Sequence, residues 1–353
     1  MIANLRLQHF RSYADASFEF NPGVNIIVGP NASGKTNLLE AVLVTARGSS
    51  YRVADADLVM FEQPWARLDG VMSDDTERII KLVQSPRPSK SYDIGGKPLK
   101  RLTAQYQLPV VLFEPNHLML LSGSPDGRRA YLDDLLEQTL SGYQNIRLQY
   151  ARTLRQRNAL LKRGPSVAEQ LFPWNLRLSE LAGKIVRARS ELVITLNDRL
   201  AQLYKDLSHS PAEVLISYES KFEPLQYESL LLKKLEANQD IDFARGFTGN
   251  GPHREDFTVT YDGREATETA SRGEIRTAVL ALKIMELQIL EQASGQRPII
   301  LLDDVFSELD GSRRKLLTSY IEDYQAFITT TDADIVVDYF LEKCNVIAIA
   351  SER

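Results

Sequence analysis

Residues Gly29-Pro30-Asn31-Ala32-Ser33-Gly34-Lys35-Thr36 fit the pattern G-x-x-x-x-G-K-[ST] in full. A loop of this composition works in one setting, between a buried strand and the first turn of a helix. The flanks supply both. The apolar run Val24-Asn25-Ile26-Ile27-Val28 precedes the loop, and Asn37-Leu38-Leu39-Glu40-Ala41-Val42-Leu43-Val44 follows it with helical spacing. Backbone N–H groups of the loop and the positive end of that helix cradle polyphosphate oxygens. Lys35 then reaches the outer phosphates, and the Thr36 hydroxyl is placed to ligate Mg²⁺. The expectation is a nucleoside triphosphate site in an α/β fold.

Bulk properties narrow the setting. A chain of 353 residues holds two or three structural units. Its apolar runs are short and broken by charge, so no membrane-spanning helix is expected. The start, Met1-Ile2-Ala3-Asn4-Leu5-Arg6, reads as a first strand and not as a signal peptide. Cys344 is the only cysteine, and His9, His117, His209 and His253 lack metal-ligand spacing. These features fit a cytoplasmic protein with no membrane partner. The net charge of −5 makes no general case for nucleic-acid affinity. One segment departs from it. Arg147, Arg152, Arg155, Arg157, Lys162 and Arg163 fall in a stretch without an acidic residue, which reads either as a solvated helix face or as a phosphate-contacting stripe.

Along the chain, alternating runs at 5–10, 66–72 and 77–83 predict antiparallel strands, and Pro109-Val110-Val111-Leu112-Phe113 predicts a buried one. From about Arg128 to Leu161, and again from about Trp174 to Leu207, apolar residues recur at three-to-four spacing on either side of Gly164-Pro165. That pattern predicts two long helices packed as an arm. Helical periodicity from Gly273 to about Gln292 and the strand Pro298-Ile299-Ile300-Leu301-Leu302 restore an α/β pattern, with further strands at 326–330 and 346–349. The sheet strands therefore lie at both ends of the chain. The expected organisation is residues 1–122 as one half of a nucleotide-binding domain with an antiparallel part, 123–245 as an inserted helical arm, and 246–353 as the second half.

Asp303-Asp304 ends the predicted strand at 299–302. Ligand groups in open α/β sheets gather at strand carboxyl ends. Asp303 is the expected Mg²⁺ carboxylate beside Thr36, and Asp304 is the expected catalytic group, orienting or deprotonating the attacking water near Lys35. Ser271-Arg272-Gly273-Glu274 opens a helix, as a capping box that also offers an anion site.

This order of motifs resembles the ATP-binding-cassette ATPases. Within them the chain resembles the RecF family of recombinational DNA-repair proteins, kin to the SMC chromosome ATPases. The residues carrying the resemblance are Phe10-Arg11-Ser12-Tyr13, the loop Gly29 to Asn37, Gly251-Pro252-His253-Arg254-Glu255-Asp256 and Ser271-Arg272-Gly273-Glu274-Ile275-Arg276. Leu302-Asp303-Asp304-Val305-Phe306-Ser307-Glu308-Leu309-Asp310 and Ile328-Thr329-Thr330-Thr331-Asp332 complete it. The resemblance implies an ATPase of the cassette type with ATP and Mg²⁺ as cofactors. Gly29, Pro30, Asn31, Ala32, Ser33, Gly34, Lys35, Thr36 and Asn37 would bind nucleotide. Ser271, Arg272, Gly273 and Glu274 would complete the site in trans in a head-to-tail homodimer, with Ser307 and Asp310 in the interface loop. Duplex DNA near gaps or junctions, recombination mediator proteins and recombinase are the implied partners. Thr330 and Asp332 stand where many cassette ATPases carry a histidine.

A membrane-transport ATPase subunit is the alternative. It would need a Ser-Gly-Gly signature, a glutamine loop and a histidine loop, none of which the sequence presents cleanly. A chromosome-tethering protein would need hundreds of residues of coiled coil.

Overall fold

The computed structural model describes residues 1–208, 212–332, 334–340 and 343–350, so His209 lies outside the described residues. Strands β1 (Ile2–Phe10) and β2 (Tyr13–Glu19) form a hairpin. Then β3 (Val24–Val28) delivers the chain to the glycine-rich loop, and α1 (Lys35–Arg47) leaves it. A meander follows of β4 (Trp65–Met72), β5 (Glu77–Val83), β6 (Ser89–Ile94) and β7 (Lys97–Leu99), and then β8 (Val110–Phe113). The alternation read from the sequence is the pleat itself: Ala66, Leu68 and Met72 of β4 and Ile80 and Leu82 of β5 are buried, and their neighbours are not. The antiparallel sheet has the order β2-β1-β4-β5-β6-β7.

The middle of the chain holds α2 (Pro125–Thr139), α3 (Tyr143–Leu161), α4 (Phe172–Ser208), β9 (Val214–Glu219), α5 (Tyr227–Ala237) and α6 (Gln239–Arg245). It continues through β10 (Asp256–Tyr261), β11 (Arg264–Glu265), α7 (Ala266–Thr269) and α8 (Arg272–Ser294). Two features depart from expectation. The periodic stretch from Arg128 to Leu161 is two helices, because Leu140 takes an extended conformation and Gly142 a left-handed one, φ 83°. The arm is also not wholly helical: β9 pairs with β10 in a small sheet of order β11-β10-β9. Polar alternation in Val214–Glu219 left that strand hidden beside the stronger helical periodicity.

The chain then returns through β12 (Ile299–Asp303), α9 (Val305–Glu308), α10 (Gly311–Ile321), β13 (Ala326–Thr330), α11 (Asp334–Phe340) and β14 (Cys344–Ala348). With β3 and β8 these strands make a parallel sheet of order β14-β3-β13-β12-β8. Both β12 and β13 are buried throughout, as expected of central parallel strands with both faces covered. The chain divides into two compact units. Unit 1 joins Met1–His117 to Glu286–Arg353, and unit 2 is Leu118–Met285. Residues 246–285 therefore belong by contact to unit 2, and the boundary falls inside α8. In unit 1 the core contains Leu38, Val42 and Ala46 of α1 together with Leu7, Leu68 and Ile80 of the antiparallel sheet and Ile27, Leu301 and Phe327 of the parallel one. Residues 38–46 of α1 are buried all round, and apart from Glu40 and Thr45 that run is apolar.

Candidate nucleotide site and signature segment

The loop between β3 and α1 is shaped by two glycines. A side chain at Gly34, φ 103°, would meet Ser12 Oγ and the Tyr13 hydroxyl at 3.0 Å. At Gly29 it would meet Ser33 Oγ and the Ile349 carbonyl at 2.6 Å. Ala32 is also left-handed, φ 65°. Lys35 is only 5% exposed, and its ammonium donates to the carbonyls of Gly29 (2.8 Å) and Pro30 (3.0 Å), so it lies inside the loop. Ser33 Oγ is buried without a hydrogen-bond partner. A buried orphan hydroxyl is costly. Oxygens of a phosphate chain seated in the loop would satisfy it, so this cradle fits a nucleotide.

At the carboxyl edge of the parallel sheet, the Thr36 hydroxyl donates to Asp303 Oδ1 at 3.0 Å. Thr329, at the same level of β13, donates to that oxygen at 2.8 Å and accepts from the Asp304 amide at 2.9 Å. Arg52 NH1 lies 3.6 Å from the other oxygen, Asp303 Oδ2. Thr36 and Asp303 thus present hard oxygens to one point from opposite ends of unit 1, the donor set Mg²⁺ takes beside a phosphate. Asp304 sits at φ 52°, and Ser307 donates to its carbonyl at 2.7 Å. Burial raises the Asp304 carboxyl above its ordinary range; Asp303 adds to the rise and the charge of Lys35 opposes it. Asp310 caps α10 by accepting from the Arg313 amide at 2.9 Å and also pairs with the Arg313 side chain. Thr330 and Asp332 close a tight turn, the Asp332 amide donating to Thr330 Oγ1 at 3.1 Å.

Arg11, Ser12, Tyr13 and Glu40 also hold this site, though the sequence assigns them no chemical task. Tyr13 donates to the Gly34 carbonyl at 3.0 Å, and Asn37 donates to Ser12 Oγ at 2.9 Å. Arg11 Nε lies 2.8 Å from Glu40 Oε2, and Ser50 donates to the same carboxylate. The hairpin corner Phe10-Arg11-Ser12-Tyr13 therefore clamps the start of α1. Glu40 is 1% exposed in an otherwise apolar helix run. A charge in that position demands a partner, which is the signal that could have found Arg11.

In unit 2, Ser271 and Glu274 form the predicted capping box. The Ser271 amide donates to Glu274 Oε2 at 2.7 Å, and the Glu274 amide to Ser271 Oγ at 3.3 Å. These bonds hold the Glu274 carboxyl below its ordinary range. Ser271 and Arg272 are exposed and Gly273 is partly so. On α3, Arg152 and Arg155 are exposed, as are Lys162 and Arg163 just after the helix. Arg147 is half-buried and pairs with Glu137 at 2.5 Å. Arg157 does not belong to the stripe: it is 0% exposed, on the opposite face, and bonded to Asn175, Asp242 and Thr248.

The segment Gly251–Asp256 is held by side chains of unit 2. The imidazole of His253 donates from Nε2 to the Thr248 carbonyl (3.1 Å), which fixes Nδ1 as the acceptor for the Tyr150 hydroxyl at 2.7 Å. Burial lowers the His253 pKa to about 4. The unfolded imidazole titrates near 6.5, so below that pH the unfolded chain binds the extra proton and stability falls. The full contribution, about 3 kcal/mol, is present above pH 6.5 and is lost as the pH drops toward 4. His253→Gln is expected to remove this dependence, so that the wild-type advantage in Tm narrows across that window. A constant difference at all pH values would refute it.

No helix among the described residues is long and apolar enough to cross a membrane. Residues 1–349 match the family model of the RecF/RecN/SMC N-terminal domain. The chain is 36% identical over 342 residues to the DNA replication and repair protein RecF of Heliobacterium modesticaldum, covering 94% of this chain and 92% of the relative. It is 32% identical over 348 residues to the RecF of Lachnoclostridium phytofermentans, covering 97% and 96%. Among solved structures, the recombination mediator protein RecF-ATPrS in the RecFOR pathway superposes with a TM-score of 0.88 at 30% identity, covering 100% of this chain and 98% of that one. An Smc head bound to the C-winged helix domain of ScpA matches at TM-score 0.52 and 17% identity, covering 96% and 92%, which speaks for the fold alone. The architecture is that of an ATP-binding-cassette-type α/β fold with a helical insertion, and the chain belongs to the RecF family.

Proposed function

We propose that the chain is an ATP-dependent DNA-binding ATPase of recombinational repair, acting in the cytoplasm on duplex DNA near gaps or junctions. The observation that carries this reading is the meeting of Thr36 and Asp303 beneath a loop whose Ser33 hydroxyl is buried and orphaned. Unit 1, residues 1–117 with 286–353, carries the nucleotide loop and the metal carboxylate, and residues 246–285, part of unit 2, carry the signature. Residues Gly29 to Asn37 hold the triphosphate, and Lys35 leaves the Gly29 and Pro30 carbonyls to reach the outer phosphates. Thr36 and Asp303 hold Mg²⁺, which when bound neutralises charge on the phosphate oxygens. Asp304, its carboxyl raised by burial, takes the proton of the attacking water or orients it. Ser271, Arg272, Gly273 and Glu274 of a second copy supply the hydroxyl, bare N–H groups and helix dipole facing the outer phosphate. Ser307 and Asp310 lie on the loop that meets that copy. ATP thus joins a head-to-tail homodimer and hydrolysis releases it, a ligand-linked assembly. DNA lies along Arg152, Arg155, Lys162 and Arg163, with Arg147 at the margin, through phosphate contacts and little base readout. Recombination mediator proteins and recombinase are the onward partners in this reading; it is supported by a solved RecF relative that is itself a recombination mediator of the RecFOR pathway. The relatives are repair proteins, which disfavours the transporter alternative.

Sedimentation with duplex DNA, with and without a slowly hydrolysed ATP analogue, tests the reading. The analogue is expected to drive wild type to a DNA-bound dimer and to leave Ser271→Arg monomeric though still nucleotide-bound. A dimer in Ser271→Arg would sink the trans arrangement. Arg152→Glu with Arg155→Glu should weaken DNA binding by roughly tenfold or more and lower the salt slope by about 2 in log–log units, about 1 for each phosphate that an arginine no longer neutralises. An unchanged slope would remove DNA from this face.

A further inference from the structure

The Gly251–Asp256 motif has no task in the nucleotide or DNA chemistry above, yet it gathers polar side chains from several elements of unit 2. Helix α3 carries its exposed arginines on one face and Tyr150 and Arg157 on the other. From that inner face Tyr150 reaches His253, and Asn158 Oδ1 accepts from both the amide (2.9 Å) and hydroxyl (2.7 Å) of Thr248. Gly251, φ 132°, allows the approach: a Cβ there would stand 2.6 Å from the Tyr150 hydroxyl. The motif's last residue, Asp256, is the first of β10, and Arg128 of α2 grips both its oxygens at 2.8 and 2.6 Å. The last residue of β10, Tyr261, donates its hydroxyl to the Glu274 carbonyl at 2.8 Å, in the first turn of α8. A continuous set of bonds therefore runs from the back of α3 through the motif and β10 to the signature segment, inside one compact unit.

We propose that the 248–256 segment is a positioning element: it registers the signature turn at Ser271–Glu274 against the arginine-bearing helix α3, so that seating DNA on α3 sets the geometry of the signature. This deepens the function proposed above and rests on it for the DNA step alone. The bonds are short, partly buried and directional, so a displaced α3 must either carry the signature turn with it or break them.

Hydrogen exchange on the full-length protein, together with ATP turnover with and without duplex DNA, tests the idea. Tyr150→Phe removes one hydroxyl and leaves His253 Nδ1 without its donor; Arg128→Lys keeps the charge and loses the two-point grip. Leu196→Val, in the α4 core, controls for a general loss of stability. Both test variants are expected to speed exchange of the amides of residues 275–279 at least tenfold, with less than twofold change in 186–200. DNA stimulation of turnover should drop at least fivefold while DNA affinity stays within twofold and unstimulated turnover is kept. Unchanged exchange at 275–279, or the same increase there in Leu196→Val, would overturn the positioning role. If wild-type turnover does not respond to DNA, the DNA reading of the arm fails, and the exchange result still decides whether the motif holds the signature turn.

Discussion

Lys35→Met is expected to abolish ATP-driven assembly and to lower turnover by roughly 10²–10³-fold or more, with little change in Tm. The ammonium is buried inside the loop and, among the described residues, is bonded to the carbonyls of Gly29 and Pro30 alone, so its removal leaves the packing between elements intact. Methionine keeps the stem and most of its packing. What disappears is the positive side chain that, in the proposed function, reaches the outer phosphates, a charge-assisted donor worth about 1.5–3 kcal/mol in each bond it makes. The charge acts most where negative charge develops, so turnover should fall further than ground-state affinity. Nucleotide affinity by fluorescence titration, turnover by phosphate release and assembly by sedimentation separate these effects. A Lys35→Met protein that still dimerises on ATP would mean that the loop's N–H groups and the helix dipole suffice. The lysine would then have no part in assembly.

Much of this site is legible in the sequence because the chemistry is local there. A phosphate loop is one continuous segment, and Asp303-Asp304 announces itself at the end of a fully apolar strand. The residues that brace the site are legible only in space. Thr329 is one β-type residue among several until the parallel register of β12 and β13 sets it beside Asp303. Tyr13 and Ser12 lie in a hairpin corner whose sequence does not reveal that it packs against Gly34 and Asn37. The arm misleads in a different way. Periodicity measures which face is apolar, and it passes through Ser141-Gly142 unbroken, so the two helices α2 and α3 read as one. It also reads a buried arginine as polar. Arg157 shares its stretch with five basic residues, and only the helix phase separates it from Arg152 and Arg155. Tyr150, Thr153 and Leu161 share its buried face, and that phase was available in the sequence.

Arg157→Met is accordingly expected to act on folding and not on DNA. The side chain is fully buried; Nε donates to Asn175 at 2.6 Å, and NH1 donates to Asp242 at 2.8 Å and to Thr248 at 2.7 Å. Burial alone lowers its pKa, and the bond and charge of Asp242 work against that shift, so each of the two charges is tolerable only with the other in place. Methionine leaves Asp242, itself 1% exposed, as an uncompensated carboxylate that keeps the Gly249 amide at 3.1 Å. Breaking a buried pair from one side costs about 3–5 kcal/mol. For a unit of this size that is a fall in Tm on the order of 10 °C. Removing both charges in Arg157→Met with Asp242→Leu should recover most of it, since an apolar pair of similar volume needs no desolvation offset. Arg157→Lys should recover only part of the loss, because an ammonium keeps a charge for Asp242 but lacks the guanidinium's fork to Asn175, Asp242 and Thr248 together. Differential scanning calorimetry of the variants beside Arg152→Glu makes the contrast direct. If Arg157→Met keeps its Tm and loses DNA affinity, the buried pair is dispensable and the arginine reaches solvent. A lost Tm in Arg157→Met with a kept Tm in Arg152→Glu divides α3 into a face that holds the fold and a face left for phosphate.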